Sequence, residues 1–119
     1  MNLRLTAFVG TAFLLSVSPT FASARSDAKS QVDFGIEVAQ KGLWREAMYR
    51  WESAVEIDTS YAEAYNDLAI AYEHEGQFAK ARRAYEKALE IEPNNAQIRQ
   101  NYDLFKEIND RAGQVKDKS

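Results

Sequence analysis

A chain of 119 residues that is 45% apolar and 28% charged has the composition of one globular domain. Its formal charge of −3 lacks the basic footprint of a nucleic-acid binder. The absence of cysteine excludes disulfides, thiolate metal sites, a cysteine nucleophile and acylation at cysteine, and leaves the compartment open.

The first element is a leader. Met1 to Arg4 is a short basic start, and Leu5 to Val17 is an uncharged, mostly apolar run. Ser18-Pro19 interrupts it, and Ala22-Ser23-Ala24 is a small-x-small site. This is the three-part layout of a secretory signal peptide. It predicts a leader over 1–24, cleavage near Ala24, and export to a periplasm or beyond the cell. Loss of Arg4 with the leader takes the formal charge from −3 to −4. The alternative is an uncleaved anchor, because Leu5 to Ala24 carries no charge and is long enough to span a bilayer. Four serines and threonines and Pro19 dilute its second half, which favours cleavage. No direct membrane binding is expected of the cleaved chain.

After a short link at 25–27, apolar periodicity predicts helices near 28–41, 44–57, 61–75, 78–91 and 95–111. Gly42 and Gly76 mark the first and third helix ends, where glycine relieves the backbone. Ser60-Tyr61-Ala62-Glu63 has the form of a capping box opening the third helix. Ala81, Ala84, Tyr85 and Ala88 fall on one face of the fourth, and Pro93 follows its end. Residues 112–119, with Gly113 and three charges, are expected to form a flexible tail.

These helices repeat. A shift of 34 residues places Gly42 on Gly76, Ala47 on Ala81, Ala54 on Ala88 and Ile57 on Ile91. Phe34 then matches Leu68, Gly35 matches Ala69, Trp44 matches Phe78, and Trp51 matches Tyr85. Small residues at Gly35, Ala47 and Ala54 let helices approach, and large ones such as Phe34, Trp51, Leu68, Tyr72 and Tyr85 fill the space beside them. The aromatics, Trp44, Tyr49, Tyr61, Tyr65 and Phe78 among them, are expected to be core before they are a ligand cage. A period of 34 belongs to helix-turn-helix repeats.

With Tyr65, Leu68, Ala69, Tyr72, Ala81, Tyr85, Ala88 and Pro93 in its signature places, segment 62–95 resembles a near-complete tetratricopeptide repeat. Residues 28–61 resemble a more divergent copy, with Gln31, Val38 and Thr59 at places usually aromatic, tyrosine and proline. Residues 96–111 look like the first helix of a third copy, in the role of a capping helix. The resemblance implies an all-α, antiparallel helix-turn-helix solenoid with its domain at 28–111. Two and a half repeats fall short of the usual three. Modest stability is therefore expected, or a partner or second copy over an open end.

Chemistry is sparse. His74 is the only histidine, and its neighbours Glu73 and Glu75 point away from each other on a helix. It is expected to be solvated. No phosphate loop, metal motif, nucleophile motif or dinucleotide fingerprint occurs, so no enzyme activity, cofactor or metal is expected. Lys80, Arg82, Arg83 and Lys87 form the densest basic cluster. Glu86 lies four after Arg82 and Glu90 three after Lys87, so local pairing on a wet face is the default. Anionic lipid or an acidic partner is the other use of such a patch.

In the tetratricopeptide family the first helix of each pair lines a concave groove. The resemblance carries that role onto Val32, Ile36, Gln40, Asn66, Ile70, Glu73, Gln97, Asn101 and Leu104. Spacing alone places Val32, Ile36 and Gln40 on one stripe, and Asn66 and Ile70 on another. Some members hold a terminal carboxylate with lysines and arginines; here Val32, Ile36, Asp67, Ile70, Gln97 and Asn101 occupy those places, and Asp67 would repel one. The function implied is a protein-interaction module taking a peptide or amphipathic helix. The alternative is a structural subunit that self-associates, or builds an envelope complex, through its open repeat ends.

Overall fold

The computed structural model describes residues 20–116, and all of the regular structure in them is helical. In chain order the helices are α1 (Thr20–Gln40), α2 (Trp44–Ile57), α3 (Ala62–His74), α4 (Phe78–Ile91) and α5 (Ala96–Lys116). Each packs on the next, and α1 also touches α3. The result is an all-α repeat solenoid.

Two turns show why the chain reverses where it does. At Gly42, φ is +78°, and at Gly76 it is +71°. The Gly42 amide donates to Ala39 carbonyl at 2.9 Å and the Leu43 amide to Val38 carbonyl at 3.0 Å. Gly76 donates to Glu73 at 3.1 Å and Gln77 to Tyr72 at 2.8 Å. Both are Schellman ends, which absorb the orphan carbonyls of a helix and require a left-handed residue.

The core is divided in two. One cluster gathers Val32, Ala47, Met48, Trp51, Ala54, Ala64, Leu68 and Ala71 from α1, α2 and α3. The other gathers Ala69, Ala81, Ala84, Tyr85, Ala88, Ile98, Tyr102 and Phe105 from α3, α4 and α5. α3 supplies both. The 34-residue register is repeated in packing: Ala47, Ala54, Ala81 and Ala88 are wholly buried, and Trp51 and Tyr85 are buried in equivalent places. Gly35 lies beneath the Trp51 indole, where a Cβ would come within 2.3 Å of the ring nitrogen. That ring donates to the Val32 carbonyl at 3.2 Å.

Several expectations need correction. α1 is already helical at Thr20, the first described residue, eight residues before the expected start and inside the predicted leader. No proline interrupts the chain between Thr20 and Gln40, so nothing local stops the helix there. The run Leu5 to Val17 lies outside the described residues. α5 continues through the expected tail to Lys116. Gly113 alone costs only about 1 kcal/mol in a helix, and Arg111 pairs with Glu107 one turn earlier. Ser60 does not cap α3, whose N-cap is Tyr61 with no side-chain cap bond. The Ser60 hydroxyl and amide instead donate to Asp58 Oδ1 at 2.7 and 3.0 Å, forming a turn closed by that carboxylate.

Phe34 is not core. It is 42% exposed, with the Arg50 guanidinium 4.2 Å from its ring centre. Its register mates Leu68 and Tyr102 are buried against the preceding helix pair, Leu68 in the first cluster and Tyr102 in the second. Phe34 has no preceding pair among the described residues. Tyr49 and Phe78 are also largely exposed, whereas Trp44 is half-buried and packs against the first cluster.

Candidate functional site

The first helices of the pairs, α1, α3 and α5, bring their polar residues together at one place. A cavity of about 530 Å³ lies between the start of α3 and the start of α5. Its lining includes Arg25, Tyr61, Glu63, Asn66, Asp67, Asn95 and Gln97. Asn95 positions α5 here: its Oδ1 accepts the Ile98 amide at 3.1 Å, a side-chain cap on the first turn.

Three of the expected groove residues form a chain of amides. Gln97 Nε2 donates to Asn101 Oδ1 at 3.2 Å, and Asn101 Nδ2 donates to Asn66 Oδ1 at 3.1 Å. Asn66 is the buried polar member, tied across to α5 rather than left unpaired. Gln97 is exposed at the cavity edge.

The others sit differently. Val32 is 1% exposed and belongs to the core, where it has no surface to offer a ligand. Ile36 and Ile70 are half-buried, packed against the first and second clusters respectively. Glu73 is half-buried and accepts the Tyr85 hydroxyl. Gln40 is exposed at the end of α1, and Leu104 on α5 is 56% exposed. Ile36, Ile70 and Leu104 nevertheless share one register position, 34 residues apart.

Electrostatics at the cavity centre on Asp67. Burial pushes its carboxyl up to about 7, and Glu63 one turn earlier pushes the same way. A hydrogen bond from Asn66 opposes them. The Asp67 Oδ2 atom is buried without a hydrogen-bond partner. At the rim, Arg25 pairs with Asp58 and holds its carboxyl below the usual range. The Arg25 guanidinium also lies 4.4 Å from the Tyr61 ring centre. Around the cavity the acidic side chains of Glu63, Asp67 and Glu92 outnumber the one guanidinium of Arg25.

Residues 62–95, which supply most of this wall, match the family model for the tetratricopeptide repeat. This segment is therefore similar to a tetratricopeptide repeat. Such repeats generally mediate protein–protein interaction and are a non-catalytic module. The matched segment contains the Schellman turn at Gly76 and the buried alanines of α3 and α4. No curated protein matches the chain.

Arg25, Tyr61, Glu63 and Asn95 are site residues that helix-face reasoning misses. Repeat register carries a signal for three of them, since Tyr61 falls on Asn95 and Glu63 on Gln97. The cavity is thus lined by the same loop-to-helix corner of two successive units. Arg25 has no such signal. His74 is exposed as expected, and its ring also stacks on Trp44 at 3.7 Å and 5°. Among the described residues, no group of three His, Asp or Glu side chains could hold a metal, and no helix is long and apolar enough to cross a membrane.

Proposed function

We propose that the chain is an exported protein-interaction module that holds a peptide or helix of a partner protein along α1, α3 and α5. The observation that carries this reading is the cavity at the α3–α5 corner. Its wall holds Asn66 and Gln97, joined through Asn101 in a chain of amides, and Ile36, Ile70 and Leu104 repeat one register position along the same three helices. A groove with an apolar strip and a few fixed polar groups suits a segment that docks one face and hydrogen-bonds through its backbone. Export rests on the leader layout of residues 1–24.

Leu104→Glu tests the groove. Leu104 is 56% exposed, so the change leaves the core intact. Immobilised wild-type and variant chains are compared for capture from envelope and cytoplasmic fractions. A protein taken from the envelope by wild type and lost with Leu104→Glu, at unchanged far-UV helicity, supports the reading. Capture indifferent to the substitution refutes it. The mass of the chain after native expression tests export: a chain starting at Arg25 supports cleavage, and one retaining Met1 refutes it.

A further inference from the structure

A second surface lies one residue further round α3. Tyr65, Leu68 and Tyr72 form the floor of a shallow cleft of about 280 Å³, and Ala84 closes it from α4. Lys80, Arg83 and Lys87 line the same cleft. They step by three and four residues, so they stand on one stripe of α4, with rises of about 4.5 and 6 Å between them.

Local pairing, the ordinary fate of such charges, is incomplete here. Lys87 binds Glu90 at 3.2 Å on the open surface. Among the described residues, no salt bridge holds Lys80 or Arg83. Glu86 is engaged elsewhere, accepting the Tyr102 hydroxyl at 2.9 Å. Lys80 Nζ lies 5.6 Å from the Tyr72 ring centre, over the floor. The Tyr72 hydroxyl donates to Glu52 at 3.0 Å. Burial pushes that phenol up to about 12, and the Arg83 charge pulls against the shift, which places Arg83 within electrostatic reach of the floor.

We propose that this cleft docks an acidic amphipathic helix of a partner protein. An apolar side chain would cover the Tyr65–Tyr72 floor, and carboxylates would meet Lys80, Arg83 and Lys87. The match is one of charge and spacing. Carboxylates at i, i+3 and i+7 on a helix laid along α4 repeat the spacing of the three cations, and aliphatic and aromatic contact supplies the desolvated centre. A bilayer of anionic lipid shares the charge but is flat, and it would leave a cleft between two helices unfilled. The surface is separate from the cavity beside Asn66, so it does not depend on the groove reading.

The test uses the full chain and a labelled helical peptide carrying glutamates at i, i+3 and i+7 around a leucine. Controls are the same peptide with lysines for glutamates, and vesicles of phosphatidylserine in phosphatidylcholine. Anisotropy is read at low and physiological salt. The expected result is binding of the acidic peptide that weakens with salt. It should fall at least ten-fold in Arg83→Glu and in Lys80→Glu, and hold in Leu104→Glu. Helicity of each charge-reversed variant is checked by far-UV circular dichroism, and Arg83→Gln replaces a variant that loses it. Equal binding of both peptides, or binding untouched by the α4 variants, overturns the proposal. Binding to the vesicles alone assigns the patch to lipid and overturns it as well.

Discussion

Replacing Asp67 with asparagine should make the protein more stable at alkaline pH and leave it little changed at acid pH. The reasoning starts from a carboxyl raised from 3.8 to about 7 by burial. A raised carboxyl is one whose proton the folded state holds more tightly than the unfolded chain does. Its contribution is fully present below the unfolded value, near pH 4, and is lost as pH rises through 7. A displacement of about 3 pH units at 1.36 kcal/mol each corresponds to about 4 kcal/mol lost between pH 4 and pH 8. Asparagine keeps the shape and removes the ionisation, so the variant should lack this slope. At roughly 4–8 °C per kcal/mol for a domain of this size, its Tm should exceed wild type by more than about 10 °C at pH 8. At pH 5 wild type has already lost about 1.2 pH units, or about 1.6 kcal/mol, and the two should coincide only near pH 4 and below. Carboxyls titrating in the ordinary range, and any other group common to both chains, cancel in the difference. Thermal melts of both proteins at half-unit steps from pH 3.5 to pH 8.5 measure it. Parallel curves, or a variant less stable than wild type at pH 8, would refute the claim that Asp67 ionises against a burial penalty.

Other perturbations follow from single contacts. Gly35→Ala drives a methyl into the Trp51 indole and should cost about 1–3 kcal/mol in a denaturant titration, with a shift in tryptophan fluorescence. Gly42→Ala and Gly76→Ala meet no atom within 4 Å, so only the positive φ is penalised, by about 1–2 kcal/mol each and equally at both turns. Asn95→Ala removes the cap on α5 and should cost about 1 kcal/mol, whereas Ser60→Ala should not fray α3. Asp58 runs opposite to Asp67: its depressed carboxyl gives stability that is present above the unfolded value and lost as pH falls through the folded one. Arg25→Ala should return Asp58 toward ordinary titration, read by carboxyl NMR.

The helix centres and turns were legible because the repeat states them twice. Gly42 and Gly76 predict two reversals that the structure places at those residues, and the starts at Trp44 and Phe78 agree with the spacing. What escaped depends on neighbours in space. Phe34 has the residue type of a core position and the register of Leu68, yet it is exposed because burial at that position comes from a preceding pair. Ser60 has the spacing of a capping box, but Asp58 lies two residues away and competes for its donors. Helix spacing placed Val32 and Ile36 on one stripe with Gln40, although 3.6 residues per turn lets such a stripe wind from core to surface. The cavity at the α3–α5 corner needs two loops and two helix starts in one place, and no single helix face contains that information.

The pairing of Arg25 with Asp58 has a consequence if the proposed cleavage takes place. Arg25 is a wall residue of the cavity and also the residue that cleavage after Ala24 would leave first. In the uncleaved chain α1 continues past it toward Thr20; under the proposed cleavage its backbone would begin there with a free amine. Removal of the leader would then also add a positive charge at a residue that lines the cavity. A partner could meet one surface on the precursor and another on the mature protein, so a purification tag fused directly ahead of Arg25 would restore the precursor's wall.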